Sequence, residues 1–261
     1  MRFLPGALTA SAKPGAGHPA ETFPARRMGL NPGPMTDHVI AAPPVPVVPV
    51  EGGGTFPVRR ILCVGRNYWA HRREMGAGED DRDPPFFFAK PADAVVPPGD
   101  DPAYPQATAN LHHEIELVVA LGAGGRNLAV AEALGLIYGY AVGVDLTRRD
   151  LQNAAKDKGY PWDSSKGFDQ SAPISAIRPW SGAPPQGRIA LSVNGDVRQD
   201  GVVADMIWNV AEIVAEASKL WTLAPGDLIY TGTPEGVGPL KPGDRVEGEV
   251  EGVGRLAFTV R

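Results

Sequence analysis

One cysteine stands among the 261 residues, so Cys63 has no partner for an internal disulfide. A chain this long buries a core without covalent or metal staples, and cysteine usage this low fits a reducing, cytoplasmic setting. Long apolar runs are also missing. The most apolar-looking stretch, Val39 to Val50, is 12 residues with four prolines, too short to span a bilayer. Excess basic charge is lacking: the formal net charge is −5, and neither a basic face nor an aromatic-plus-basic motif suggests nucleic acid. No internal repeat is present, and regular βαβ alternation is absent, which excludes a Rossmann fold.

Glycine (32) and proline (27) together exceed a fifth of the chain. That composition argues against a helical bundle and for short strands joined by turns, an α+β class that is mostly β. Residues 1–34 are rich in both and carry Arg2, Lys13, Arg26 and Arg27 against Glu21. They contain no continuous apolar segment of a secretory signal and read as a disordered extension, with Met35 as a plausible start. Residues 35–59 follow as an extended, proline-rich segment, and 60–261 as the main folded domain.

Within that domain the patterns predict strands over 58–64, 86–90, 112–121, 136–146, 227–231, 245–250 and 255–260. A short helical turn is expected at 71–75, a polar mobile loop at 76–85, and a short helix at 129–134. A longer helix is expected from Thr147, capped with Asp150, to Gly159. Another runs over 210–220, capped by Asn209 and Glu212, with an apolar stripe of Ile213, Val214, Ala217, Leu220 and Trp221.

The stretch Leu111-His-His-Glu-Ile-Glu-Leu-Val-Val119 carries the most chemistry. A two-residue period puts Glu114 and Glu116 on one face. Two carboxylates about 5 Å apart repel by roughly 3 kcal/mol at an effective dielectric of 20. Such a pair needs a cation or a shared proton, unless the strand is half exposed and its glutamates solvated. Asp145 ends an apolar strand and needs a partner if buried. Three carboxylates suit Mg²⁺ or Mn²⁺ better than Zn²⁺. The adjacent His112 and His113 lack the His-Glu-x-x-His spacing of a zinc site.

His71 and Glu74, three apart, share a helical face. They read either as an oriented general base or as a solvated surface pair. Lys166 lies between Trp162 and Phe168, desolvated or snorkelling. The glycine- and threonine-rich loop 231–238 lacks the lysine and helix of a phosphate loop. It is an anion cradle built around Thr233 or an ordinary turn. Cys63, in an apolar run, reads as a buried strand residue.

Taken in order, Val64-Gly-Arg-Asn-Tyr68 with His71 and Glu74, Phe88-Ala-Lys-Pro91, His113-Glu-Ile-Glu116, Asp145-Leu-Thr-Arg-Arg-Asp150, Lys158-Gly-Tyr-Pro-Trp162 with Lys166, Val193-Asn-Gly195 and Gly226–Pro239 resemble the fumarylacetoacetate hydrolase superfamily. The likeness runs from about Met35 to the C-terminus. Pro84–Ala94 and Asn110–Val119 look most like the branch that cleaves fumarylpyruvate. The resemblance implies a mixed β-sandwich roll with a few outer helices, in a homodimer. It implies one Mg²⁺ or Mn²⁺ per subunit on Glu114, Glu116 and Asp145, and catalytic roles for His71, Glu74 and Lys166. Lys90, Arg149, Gln152 and Thr233 would line or support the pocket for a 2,4-diketo acid, with no nucleic-acid or membrane partner. The implied reaction is metal-dependent C–C hydrolysis. Acylpyruvate hydrolysis, oxaloacetate decarboxylation and a non-catalytic metal-binding protein are the alternatives.

Overall fold

The computed structural model describes residues 38–74 and 82–261, together with the backbone of Glu21–Phe23. Those three residues pair as a strand with Gly124–Arg126. The rest of the expected N-terminal extension lies outside the described residues, as does the core of the expected mobile loop at 76–81.

The architecture is α+β and mostly β, built on a six-stranded mixed sheet. Its spatial order is Arg178–Pro179, Ile137–Val144, Ile115–Leu121, Asp227–Tyr230, Arg60–Gly65 and Phe86–Lys90. Only Asp227–Tyr230 and Arg60–Gly65 run parallel to each other. A second, antiparallel sheet of four strands is ordered Asp196–Val202, Arg188–Val193, Arg245–Val250 and Gly254–Thr259.

The strand Ile115–Leu121 explains the layering. Its residues are apolar except Glu116, and all are buried. Both faces therefore need cover. Ile115, Leu117, Val119 and Leu121 join a core shared with Ile189, Leu191, Val246 and Val250 of the four-stranded sheet and with the 210–220 helix. Val118 and Ala120 point the other way, into a core with Val48, Phe56, Ile61, Cys63, Ile174 and Tyr230. Each such side chain removed from water contributes roughly 1.5–3 kcal/mol. The sheets approach closely at Gly248, where an added Cβ would sit 2.9 Å from Ile115 Cδ1.

The helix Val210–Leu220 forms as its sequence prescribes. Asn209 Oδ1 accepts the Glu212 amide at 3.1 Å, and Glu212 Oε2 accepts the Asn209 amide at 3.0 Å. Val210, Ile213, Val214 and Ala217 face the core. Leu220, expected in the apolar stripe, is exposed instead, because the helix ends there and the chain turns inward at Trp221, which meets Phe87 edge-on.

Two other expectations are corrected. Residues 112–121 do not form one strand. Leu111–His113 belongs to a separate three-stranded sheet with Thr147–Arg148 and Gly238–Leu240, and the chain breaks at Glu114 before entering the large sheet. Thr147 does not cap a helix. It pairs with His112 in that small sheet, and its hydroxyl is drawn inward to Lys166. The helix is Arg149–Lys158, without a side-chain cap bond, and it closes on Gly159 in the left-handed region (φ 65°). The hairpin Arg188–Val193/Asp196–Val202 was not anticipated. Among the described residues no helix is long and apolar enough to cross a membrane.

Candidate active site

Register brings the carboxylates together. Ile137–Val144 runs antiparallel to Ile115–Leu121, with Gly143 opposite Glu116 and Val144 opposite Ile115. The next residue along, Asp145, falls beside Glu114, whose carbonyl accepts its amide at 2.8 Å. One residue with no side chain makes room for this. A Cβ on Gly143 would lie 2.5 Å from both Tyr230 and Val118.

Glu114, Glu116 and Asp145 are buried, and one carboxylate oxygen from each lies within 4.8 Å of the others. Their charges are answered unequally. Lys166 Nζ donates to Glu114 Oε2 (2.7 Å), Asp145 Oδ2 (2.5 Å) and Thr147 Oγ1 (2.7 Å). Arg149 pairs with Glu114 Oε1. Lys90 Nζ stands 2.8 Å from Asp145 Oδ1 but is not aligned as a donor, so that buried oxygen accepts no hydrogen bond. Glu116 has the Gly232 amide, 2.8 Å from Oε2, and no cation paired to it among the described residues.

Burial pushes the Glu116 carboxyl well above its usual range, and the neighbouring Asp145 and Glu114 charges push it further. Burial alone would do the same to Glu114, but Lys166 and Arg149 outweigh it and hold that carboxyl low. For Lys166, desolvation is overcome by Asp145 and Glu114, which raise the ammonium. A buried acid without a cation, a second acid with an open oxygen and an all-oxygen donor set fit a hard divalent ion.

The two histidines beside Glu114 stay out of this donor group. His112 meets Asn110 Oδ1 through Nε2 at 3.0 Å, and burial with the adjacent Arg149 charge pulls it down to about 4. It is therefore neutral near pH 7. His113 Nδ1 donates to Gln199 Oε1 at 2.9 Å, an oxygen that also accepts the Ile115 amide.

Above the carboxylates lies a small pocket, lined by His71, Glu114, Glu116, Arg149, Gln152, Lys166 and Thr233 among others. His71 is buried, and its Nδ1 lies 3.1 Å from Glu74 Oε2, which leaves Nε2 for the pocket. Burial raises the Glu74 carboxyl, but hydrogen bonds from His71 and the Gly236 amide prevail and lower it. Arg149 NH1 donates to Gln152 Oε1 at 2.5 Å. Lys90 lies behind the carboxylates, donating to the Leu146 and Lys166 carbonyls. It does not line the pocket but supports it from below.

Two contributors escaped the sequence reading, and a third, Trp162, figured there only as a neighbour of Lys166. Gln199, fully buried on the unanticipated hairpin, holds His113 and Ile115 through its oxygen and Thr233 Oγ1 (2.8 Å) and the Pro234 carbonyl (2.9 Å) through its nitrogen. No sequence signal marks it. Trp162 lines the pocket beside Lys166. Lys156 lines it as well, and its spacing from Arg149 and Gln152 (i, i+3, i+7) was a readable sign of a shared helix face.

A family model, fumarylacetoacetate hydrolase C-terminal, matches residues 60–261. The chain belongs to the fumarylacetoacetate hydrolase family. A fumarylpyruvate hydrolase from a Ralstonia species is 49% identical over 176 residues, 67% of this chain and 92% of that one. A crystal structure of fumarylpyruvate hydrolase from Pseudomonas aeruginosa, in complex with Mn²⁺ and pyruvate, superposes with a TM-score of 0.83 at 48% identity. The match covers 86% of this chain and 99% of that one. A mitochondrial oxaloacetate tautomerase from Homo sapiens is 41% identical over 204 residues, 77% of this chain and 91% of the relative. Family membership thus rests on the same segment that builds the carboxylate group, the His71–Glu74 pair and the pocket between them.

Proposed function

We propose that the protein is a divalent-metal-dependent hydrolase that cleaves a C–C bond of a 2,4-diketo acid, converting fumarylpyruvate and water to fumarate and pyruvate. The observation that carries this reading is the meeting of the Glu114–Glu116–Asp145 group with the buried His71–Glu74 pair in one pocket. The likeness to fumarylpyruvate hydrolases supports the substrate.

Glu114, Glu116 and Asp145 would hold Mg²⁺ or Mn²⁺ through carboxylate oxygens. Bound there, the ion supplies Lewis acidity that polarises a chelated ketone. Arg149, Gln152 and Thr233 orient the anionic substrate. His71 Nε2 takes a proton from water, and Glu74 on Nδ1 holds the tautomer that makes Nε2 the acceptor. The water oxygen bonds to C4. The C3–C4 bond breaks, and its electron pair passes to the three-carbon fragment as an enolate, whose charge the Lys166 ammonium stabilises. The proton held by His71 passes to C3 and gives pyruvate, and the four-carbon fragment leaves as fumarate. We propose further that it serves gentisate-type aromatic breakdown, as a cytoplasmic homodimer.

A second reading, a keto–enol or decarboxylation reaction of oxaloacetate, is favoured by the likeness to oxaloacetate tautomerase. It needs no attacking water and so depends less on His71. The test is an ultraviolet assay on metal-stripped protein with and without Mn²⁺, following the enol absorbance of fumarylpyruvate alongside oxaloacetate and acetylpyruvate. Metal-dependent loss favouring fumarylpyruvate, abolished by His71→Ala, supports the hydrolase. Turnover of oxaloacetate alone, indifferent to that substitution, replaces it with the second reading.

A further inference from the structure

Fumarylpyruvate carries a second carboxylate at the far end of a rigid alkene, and that anion needs its own cation once the diketo end is seated. Four arginines near the pocket could supply it on sequence grounds: Arg66, Arg72, Arg73 and Arg149. The structure separates them. Arg149 is spent on Glu114 and Gln152 at the carboxylate end. Arg72 stacks on Trp69 and reaches Asp83, and neither Arg72 nor Arg73 lines the pocket. Arg66 does line it, half-buried, with its guanidinium over the Phe86 ring. Lys156 is the other cation on the wall, held over Trp162.

Neither Arg66 nor Lys156 has a hydrogen bond or ion pair to a carboxylate among the described residues. Seven residues at 1.5 Å rise put Lys156 about 10 Å along the helix axis from Arg149, on the same face. The helix therefore presents one cation at the carboxylate end of the pocket and another well removed from it. Burial and the Arg149 and Arg66 charges draw the Lys156 ammonium down to about 8. The Glu114 carboxylate offsets those charges only in part. Arg66 also pays a conformational cost, holding φ at 58°, a region that residues with a Cβ seldom adopt.

We infer that Arg66 and Lys156 form a distal-anion subsite that selects diketo acids bearing a second carboxylate over those ending in an alkyl group. The inference rests on the hydrolase reading for its substrate, but its recognition chemistry is testable apart from turnover. Lys156 is the better probe, because it is only half-buried on its helix and has no hydrogen bond or ion pair to a carboxylate among the described residues.

In the kinetic arm, Lys156→Gln raises KM for fumarylpyruvate about tenfold, leaves kcat nearly unchanged and spares acetylpyruvate, while Lys156→Arg restores the wild-type values. Arg66→Gln behaves alike. In the binding arm, calorimetry compares fumarate with crotonate, which has a methyl group in place of the second carboxylate. Wild-type protein prefers fumarate, and Lys156→Gln removes the preference. Equal losses for both substrates, or an undiminished fumarate preference in both variants, overturn the subsite. If no diketo acid is turned over, the hydrolase reading falls, while the calorimetry still decides whether the two cations read a second carboxylate.

Discussion

The Gly236 amide donates to Glu74 Oε1 at 3.1 Å, across 162 residues of sequence, while the other oxygen of the same carboxylate meets His71. The short helix Trp69–Glu74 is thereby docked on the loop that also carries Thr233. Glu74 both sets the imidazole tautomer and anchors the helix that bears it.

Replacing Glu74 by Gln keeps the size but loses the charge that favours a proton on Nδ1. The expected outcome is a fall in kcat for fumarylpyruvate of ~10–100-fold, with Mn²⁺ affinity retained. Steady-state kinetics beside a metal titration check it. Weakened metal binding would mean that the pair supports the carboxylates instead.

Metal removal tests the donor group. Addition of Mn²⁺ to stripped protein should raise the melting temperature, because a ligand at 100 times its Kd stabilises the folded state by about 2.7 kcal/mol. Glu116→Ala should abolish both this shift and turnover. A variant that still responds to Mn²⁺ like wild type would remove Glu116 from the ligand set.

Gln199→Leu strands the His113 ring N–H, the Ile115 amide and Thr233 in a buried place. Each unsatisfied group costs about 1–3 kcal/mol, so a lowered denaturant midpoint is expected. Because Gln199 ties Glu114's neighbours to the Thr233 loop, kcat should fall while the KM for fumarylpyruvate moves little. A purely structural role would lower the midpoint and leave kcat per folded molecule unchanged.

The N-terminus of the 210–220 helix predicts an acid dependence of stability. Burial raises the Glu212 carboxyl, but Arg82 and the Asn209 amide lower it below its unfolded value. A depressed acid stabilises above the unfolded pKa, about 4.3, and that contribution is lost as pH falls through the folded one. Wild type should therefore lose more melting temperature than Glu212→Gln between pH 6 and pH 3.5. Parallel losses would show that the carboxylate charge contributes nothing there.

Much of the site was legible because its chemistry is concentrated in short segments with strong patterns. The nearness of Glu114 to Glu116, the buried ending at Asp145 and the helical spacing of His71 and Glu74 each have a counterpart in the geometry, although the single strand expected to carry both glutamates breaks at Glu114. Legibility failed where a residue was recruited by a distant partner. Thr147 and Asp150 have the spacing of a cap, yet Lys166 claims the threonine hydroxyl, and Thr108 with the Ala109 amide claims the aspartate. The hairpin strand Asp196–Val202 is mostly exposed, with Gln199 as its buried exception, so it offers no alternation to read. The break at Glu114 is likewise a tertiary event, decided by which sheet each half can join.

The loop between Tyr230 and Gly238 touches three parts of the site by three different atoms: the Gly232 amide on Glu116, the Thr233 hydroxyl on Gln199 and the Gly236 amide on Glu74. Two of those contacts are made by backbone, and both glycines hold positive φ, 96° and 89°. Such a loop behaves as a measuring gauge. Its length, more than its side chains, sets the spacing between acid group and base. Inserting or deleting one residue there would shift all three contacts together, so redesign of the pocket is better directed at its walls.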